Sequence, residues 1–181
     1  MATRIVSIVG QKNAGKTTLT VALATEFKRK RRRVMTIKHG HHPAEVDQKG
    51  TDTWRHFVEA GAERTLIAAP EMRVLFERTK DDYDPIGLAR RYMDGADLVL
   101  CEGFKHARLP KVEIARKAAG PPLYEPGSEH AGEHLAIVTD DRDYEATLGR
   151  ENTVPVLHFH DTMWLQLLTA LIWEKALVLE P

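Results

Sequence analysis

The stretch that most restricts this chain is Gly10-Gln11-Lys12-Asn13-Ala14-Gly15-Lys16-Thr17. It satisfies the pattern G-x-x-x-x-G-K-[ST] at every fixed position. Residues 4–10 are a β-branched run that stops at glycine, which predicts a buried strand entering a loop. After Thr17, the residues Leu19, Ala22, Leu23 and Phe27 recur at helical spacing. A strand, a glycine-bearing loop and a helix N-terminus aim backbone N–H groups and a helix dipole at one point, which suits a polyphosphate. Gly10 and Gly15 let the backbone turn and come close. Lys16 brings a point charge to the terminal phosphates, and Thr17 offers a hydroxyl to Mg²⁺. Lys12, Asn13, Ala14 and Thr18 complete the expected nucleotide-binding set.

The rest of the chain alternates strand-like and helix-like stretches. Strands are expected near 34–38, 98–101, 111–115, 135–138 and 154–157. Helices are expected from Thr17 into the basic run 28–33, from about Asp52 to Gly61, over 85–93 behind Pro85, and from a cap at Asp161 to about Leu177. Arg64–Ala69 and Met72–Glu77 flank Pro70-Glu71 and predict a hairpin. Residues 118–134 are rich in Pro, Gly and Glu and predict an irregular surface loop. Alternating strands and helices imply an α/β, P-loop NTPase-like fold, with a mainly parallel sheet flanked by helices. A length of 181 residues without internal repeat or composition break predicts a single domain over 1–181.

Charge and cysteine content narrow the class. Lys plus Arg and Asp plus Glu both number 26, so no net field draws the chain to nucleic acid or membrane. The single cysteine, Cys101, excludes an intramolecular disulfide and fits a reducing compartment. No signal-like N-terminus or long apolar run stands out, so a cytoplasmic protein is expected. The run Lys28–Arg33 complements the dipole at a helix C-terminus and is foremost a solvated helix end; a contact for an acidic partner is the alternative.

Two further segments carry chemistry. Leu98-Val99-Leu100-Cys101-Glu102 is an apolar strand ending in an acid, where a carboxylate can hold magnesium-bound water or orient an attacking one. Glu102 is the catalytic candidate beside Lys16, with Asp97 at the strand start the weaker choice. Thr36-Ile37-Lys38-His39-Gly40-His41-His42 leaves a strand end, where α/β sheets place ligands. Asp47, in the same loop, is a second magnesium candidate next to Thr17 and Glu102. Contact of Lys38 and the histidines with phosphate or substrate is the preferred reading; a transition-metal site and plain solvation are the others.

The P-loop, Lys38-His39-Gly40-His41-His42, Asp47 with Gly50-Thr51-Asp52-Thr53-Trp54-Arg55-His56, Glu102-Gly103-Phe104-Lys105 and Pro110-Lys111-Val112-Glu113-Ile114 with Arg116 stand in one order over about two-thirds of the chain. In that order they resemble the MobB family. The resemblance implies a homodimeric GTP-binding adaptor with weak GTP hydrolysis. It would work with GTP and Mg²⁺ beside a MobA-type guanylyltransferase, which joins GMP to molybdopterin. It also implies that Lys38, His39, His41, His42, Lys105, Lys111 and Arg116 meet the pterin phosphate or a partner.

Guanine recognition needs its own residues, because no Asn-Lys-x-Asp pattern is present. Thr139-Asp140-Asp141 follows a buried strand, and one carboxylate can accept both guanine donors, N1–H and N2–H₂. Asp140 and Asp141 are therefore base-reading candidates, against a plain acidic turn. Two other functions share these signals. A small-molecule kinase would need lid arginines, for which Arg73, Arg78, Arg90 and Arg91 are available. A nickel-type metallochaperone GTPase would use the histidines.

Overall fold

From Ile5 to Val9 every residue except Ser7 is aliphatic, and all five are buried. Such a run can lie only in the middle of a sheet covered on both faces. The computed structural model describes residues 2–40, 47–80, 84–149 and 152–180. In chain order the elements are β1 (Thr3–Val9), α1 (Lys16–Arg29), β2 (Val34–Lys38), α2 (Asp52–Trp54), β3 (Arg64–Ala68), β4 (Arg73–Glu77), α3 (Pro85–Tyr92), β5 (Leu98–Glu102), β6 (Lys111–Ala115), β7 (His134–Thr139), α4 (Tyr144–Thr147), β8 (Val156–His158), α5 (Trp164–Lys175) and β9 (Leu177–Leu179). They form two compact units, Gly40–Tyr83 and the remainder of the chain.

The larger unit holds a sheet in the order β2-β5-β1-β6-β7-β8, every neighbouring pair parallel. β9 returns antiparallel along Thr3–Ile5 of β1. Side chains alternate between faces along each central strand. Val6, Ile8, Leu98 and Leu100 pack with Leu19, Leu23 and Phe27 of α1 and Leu168 and Ile172 of α5. Ile5, Val99 and Cys101 point the other way, to Ala89 of α3 and Leu109. Cys101 is fully buried, and burial pushes its thiol up to about 12, which leaves it inert near neutral pH. Because β5 and β6 flank β1 on opposite sides, the connections diverge around β1. That opens a crevice at the carboxyl ends of these strands, where such sheets bind ligands.

The smaller unit contains the expected hairpin. β3 and β4 pair antiparallel from Arg64↔Glu77 to Ala68↔Arg73. Phe76 packs on Phe57 with ring centroids 5.9 Å apart, while Leu66 and Leu75, opposite one another on the other face, are 60% and 44% exposed.

The helix near residue 52 begins at Asp52, as expected, behind Thr51, whose hydroxyl accepts from Trp54 N–H at 3.3 Å, a cap worth about 1 kcal/mol. It then passes into a π turn over Arg55–Glu59. Two boundaries of the last helix differ from the sequence expectation. Asp161 does not cap the last helix: its N–H donates to His158 in a turn, and α5 begins at Trp164 behind Met163. α5 also stops at Lys175, because Ala176 adopts an extended conformation and Leu177–Leu179 leave as β9. Pro85 does open α3, with Asp84 accepting from Ile86 and Gly87 N–H. Among the described residues no helix is long and apolar enough to cross a membrane.

Candidate functional site

Gly10 has φ +147°, and a Cβ there would collide with the Ile114 carbonyl of β6. Gly15, at φ +102°, turns directly into α1 at Lys16. Both glycines are thus required by conformation, and Gly10 also by closeness to the neighbouring strand. Asn13 has φ +63°, a region asparagine tolerates better than most residues. Lys12, Asn13 and Thr18 are exposed, and Ala14 is buried beneath the loop.

Lys16 folds back over its own loop, donating to the carbonyls of Gly10 at 3.1 Å and Gln11 at 2.8 Å. Burial lowers its pKa, the Glu102 carboxylate opposes that, and the Lys38 ammonium reinforces it. Thr17 donates its hydroxyl to Glu102 Oε1 at 2.9 Å. Lys38 Nζ lies 3.3 Å from the same oxygen. Sheet register causes this meeting: Glu102 ends β5 opposite Ile8 of β1 on one side and Lys38 of β2 on the other. Lys38 is 67% exposed, so its ion pair is worth no more than about 1 kcal/mol and is easily exchanged for a ligand contact. A hydroxyl and a carboxylate converging beside the loop are hard oxygen donors, the set that Mg²⁺ takes.

Behind Glu102 the chain bends through Gly103 (φ +96°) and Phe104 (φ +56°). Ser7, buried on β1, donates to Gly103 O at 2.6 Å, and His39 donates its N–H to Glu102 O at 3.0 Å. The His39 ring packs on Phe104 with centroids 5.0 Å apart. Ser7 therefore ties β1 to the turn that sets Glu102, a role its place in an aliphatic run did not disclose. Lys105 is exposed in the next turn.

On the other side of the loop a cavity of about 340 Å³ opens between the ends of β6 and β7, lined by Ala115, Lys117, Pro121, Thr139, Asp141 and Tyr144 among others. Gln11 of the phosphate loop donates to Pro121 O at its rim, at 2.9 Å. The two acids differ. Asp140 accepts from Arg116 Nε at 2.9 Å and from Lys117 N–H at 3.1 Å. Burial pushes its carboxyl up, but these bonds outweigh it and hold the carboxyl below the ordinary range. Asp141 lines the cavity; one oxygen accepts from Asp143 N–H at 3.1 Å, and the other has Lys117 Nζ at 3.9 Å. Tyr144, also on the cavity, has a buried hydroxyl with no hydrogen-bond partner in the described structure. Burial first, then the Glu113 charge, raises its pKa.

Other expected residues have partners of their own. Lys111 was expected to meet a phosphate or partner, but it is 2% exposed at the start of β6. Its ammonium pairs with Glu133 and donates to Ala107 O at 2.7 Å, which makes it a strut between loops. Arg116 is spoken for by Asp140. Asp47 belongs to the smaller unit, where it accepts from Gln48 N–H at 2.8 Å and the Thr51 hydroxyl at 3.0 Å. His41 and His42 lie outside the described residues. Of the arginines considered for a kinase lid, Arg78 is held by Phe57 O at 2.5 Å and lies over the Phe57 ring at 4.4 Å. Arg73 is tied to Ala69 O at 2.6 Å. Among the described residues no three His, Cys, Asp or Glu gather in a metal-holding group.

A parallel sheet whose first strand feeds this loop, with an acid ending the adjacent strand, defines a P-loop NTPase-like fold. Residues 5–140 match the family described as molybdopterin guanine dinucleotide synthesis protein B, MobB, and the chain belongs to that family. It is 36% identical over 163 residues to the molybdopterin-guanine dinucleotide biosynthesis adapter protein of Haemophilus influenzae, covering 89% of each chain. The Escherichia coli adapter protein is 35% identical over 131 residues, which span 70% of this chain and 72% of that one. The crystal structure of Bacillus subtilis MobB has the same fold, with a TM-score of 0.65 at 23% identity over 93% of this chain and 97% of that one.

Proposed function

We propose that this chain is a GTP-binding adaptor that assists formation of molybdopterin guanine dinucleotide, with slow intrinsic GTP hydrolysis. The observation that carries the reading is the convergence of Lys16, Thr17, Lys38 and Glu102 at the phosphate loop, beside a base-sized cavity 115–144. In this reading the loop amides and Lys16 hold the β- and γ-phosphates. Thr17 and Glu102 hold Mg²⁺, whose charge offsets that of the phosphates. Lys38 leaves Glu102 for a phosphate oxygen.

The base enters the cavity between Pro121 and Tyr144. Asp141 is its reader, because it lines the cavity, whereas Asp140 is held by Arg116 and Lys117. The Asp141 carboxylate, with Lys117 Nζ 3.9 Å from one oxygen, accepts from the guanine edge, and the Tyr144 hydroxyl, which has no hydrogen-bond partner among the described residues, supplies a donor beside it. No arginine is aimed at the phosphate loop within the larger unit's described hydrogen bonds, so turnover is slow.

A homodimer forms through the hairpin β3–β4, whose exposed Leu66–Leu75 pair offers an apolar face to a second copy. The partner in the pathway is a MobA-type guanylyltransferase and the shared substrate is molybdopterin, which Lys105 and His39 approach from the Glu102 side. The test is reconstitution: wild type accelerates guanylylation of molybdopterin, and Lys16→Ala, which cannot hold the triphosphate, does not. Normal assistance by Lys16→Ala would remove the proposal.

A further inference from the structure

Glu113 is a carboxylate with no solvent exposure, set between Val112 and Ile114 in the middle of strand β6. An unpaired charge there would cost several kcal/mol, so its partners state its purpose. They are two backbone donors, Leu123 N–H at 2.5 Å and Tyr124 N–H at 2.8 Å, with His134 Nε2 3.5 Å from the same carboxylate. Both amides belong to the far end of the segment 116–124.

That segment walls the cavity at the ends of β6 and β7 through Gly120, Pro121 and Pro122. Pro121 and Pro122 have no N–H, so this stretch cannot join a strand ladder and must be held from outside. Three ties hold it. Asp140 accepts from Lys117 N–H at its start, and Gln11 of the phosphate loop donates to Pro121 O in its middle. Glu113 takes the first two N–H groups after the prolines. The Glu113 bonds are charge-assisted and buried, hence the strongest of the three.

We propose that Glu113 is a positioning residue for the nucleotide base: it fixes the Pro121–Pro122 wall at the distance that grips the ring, and Gln11 links that wall to the phosphate loop. The inference rests on the nucleotide reading given above. It predicts an effect confined to ligands that carry a base. Lys16 donates to the carbonyls of Gly10 and Gln11 in its own loop rather than to the wall, so a base-free triphosphate should respond far less than GTP.

The experiment is calorimetric titration of Mg²⁺ with GTP, and separately with inorganic tripolyphosphate, into wild type, Glu113→Gln and Pro121→Gly, well below each variant's melting temperature. Gln keeps an acceptor but loses the charge. GTP affinity should fall about tenfold in Glu113→Gln and less in Pro121→Gly, with tripolyphosphate affinity unchanged in both. Pro121 is exposed and lies outside the phosphate loop, so its variant loosens the wall even where Glu113→Gln lowers stability. Equal weakening of both ligands, or undiminished GTP affinity in Glu113→Gln, would overturn the inference while leaving the nucleotide reading intact. Wild type that binds GTP no better than tripolyphosphate would instead remove the base-site reading, and this inference with it.

Discussion

The hydroxyl of Thr17 donates to Glu102 at 2.9 Å, although 85 residues separate them. The contact joins the two halves of the candidate metal site, one from the phosphate loop and one from the end of β5. If these oxygens hold Mg²⁺, Glu102→Gln removes a charged ligand while keeping shape and hydrogen bonding. GTP binding without magnesium should then change little, while the gain on adding magnesium should shrink about tenfold or more, the scale of a charged-group interaction. Calorimetry with EDTA and with magnesium checks this, and an unchanged magnesium increment would reassign Glu102.

Lys16 titrates below the ordinary lysine value because burial disfavours its charge, with Lys38 adding repulsion and Glu102 opposing both. Lys38→Ala should therefore raise the Lys16 pKa, and Glu102→Gln should lower it further. Side-chain NMR titration of ligand-free protein reads both shifts. A lysine whose folded pKa lies below its unfolded one weakens the fold while charged. That cost is relieved as pH rises through the folded value.

Asp140 and Asp141 should separate cleanly. Asp141→Asn should erase preference for GTP over ATP, while Asp140→Asn should leave it but loosen the Arg116–Lys117 turn. The Asp140 carboxyl sits below the ordinary range, so its contribution is full above the unfolded value of about 3.9 and is lost as pH falls through the depressed folded value. Thermal melts from acid to neutral pH should thus converge for wild type and Asp140→Asn at the acid end. Lost base preference in Asp140→Asn would exchange the two roles.

Leu66 and Leu75 face one another across the hairpin on its exposed side. Leu66→Lys should convert a dimer to a monomer in sedimentation velocity without changing nucleotide affinity. A monomeric wild type would contradict the hairpin interface.

The sequence made the local features plain. The glycine loop and its flanks are contiguous, and the β-branched runs around it appear as strands within a residue or two. Glu102 was legible because a strand end announces itself. Pairings set by topology were not. Lys38 meets Glu102 only because β2 lies beside β5, and Arg116 meets Asp140 only because β6 lies beside β7. Glu113 carried no local sign of its burial, since an acid in a short strand is as consistent with an exposed edge as with the interior. The resemblance put Lys111 at a phosphate or partner, and nothing in the sequence showed that its ammonium is buried against Glu133. The Leu177-Val178-Leu179 run continued the apolar pattern of α5, and only its pairing with Thr3–Ile5 shows it as a strand.

The most direct test of the central claim is calorimetric titration of GTP and ATP with magnesium into wild type and Lys16→Ala. GTP should bind tightly, ATP more weakly, and neither to the variant. Equal or tighter binding of ATP, or GTP binding that survives Lys16→Ala, would contradict that claim.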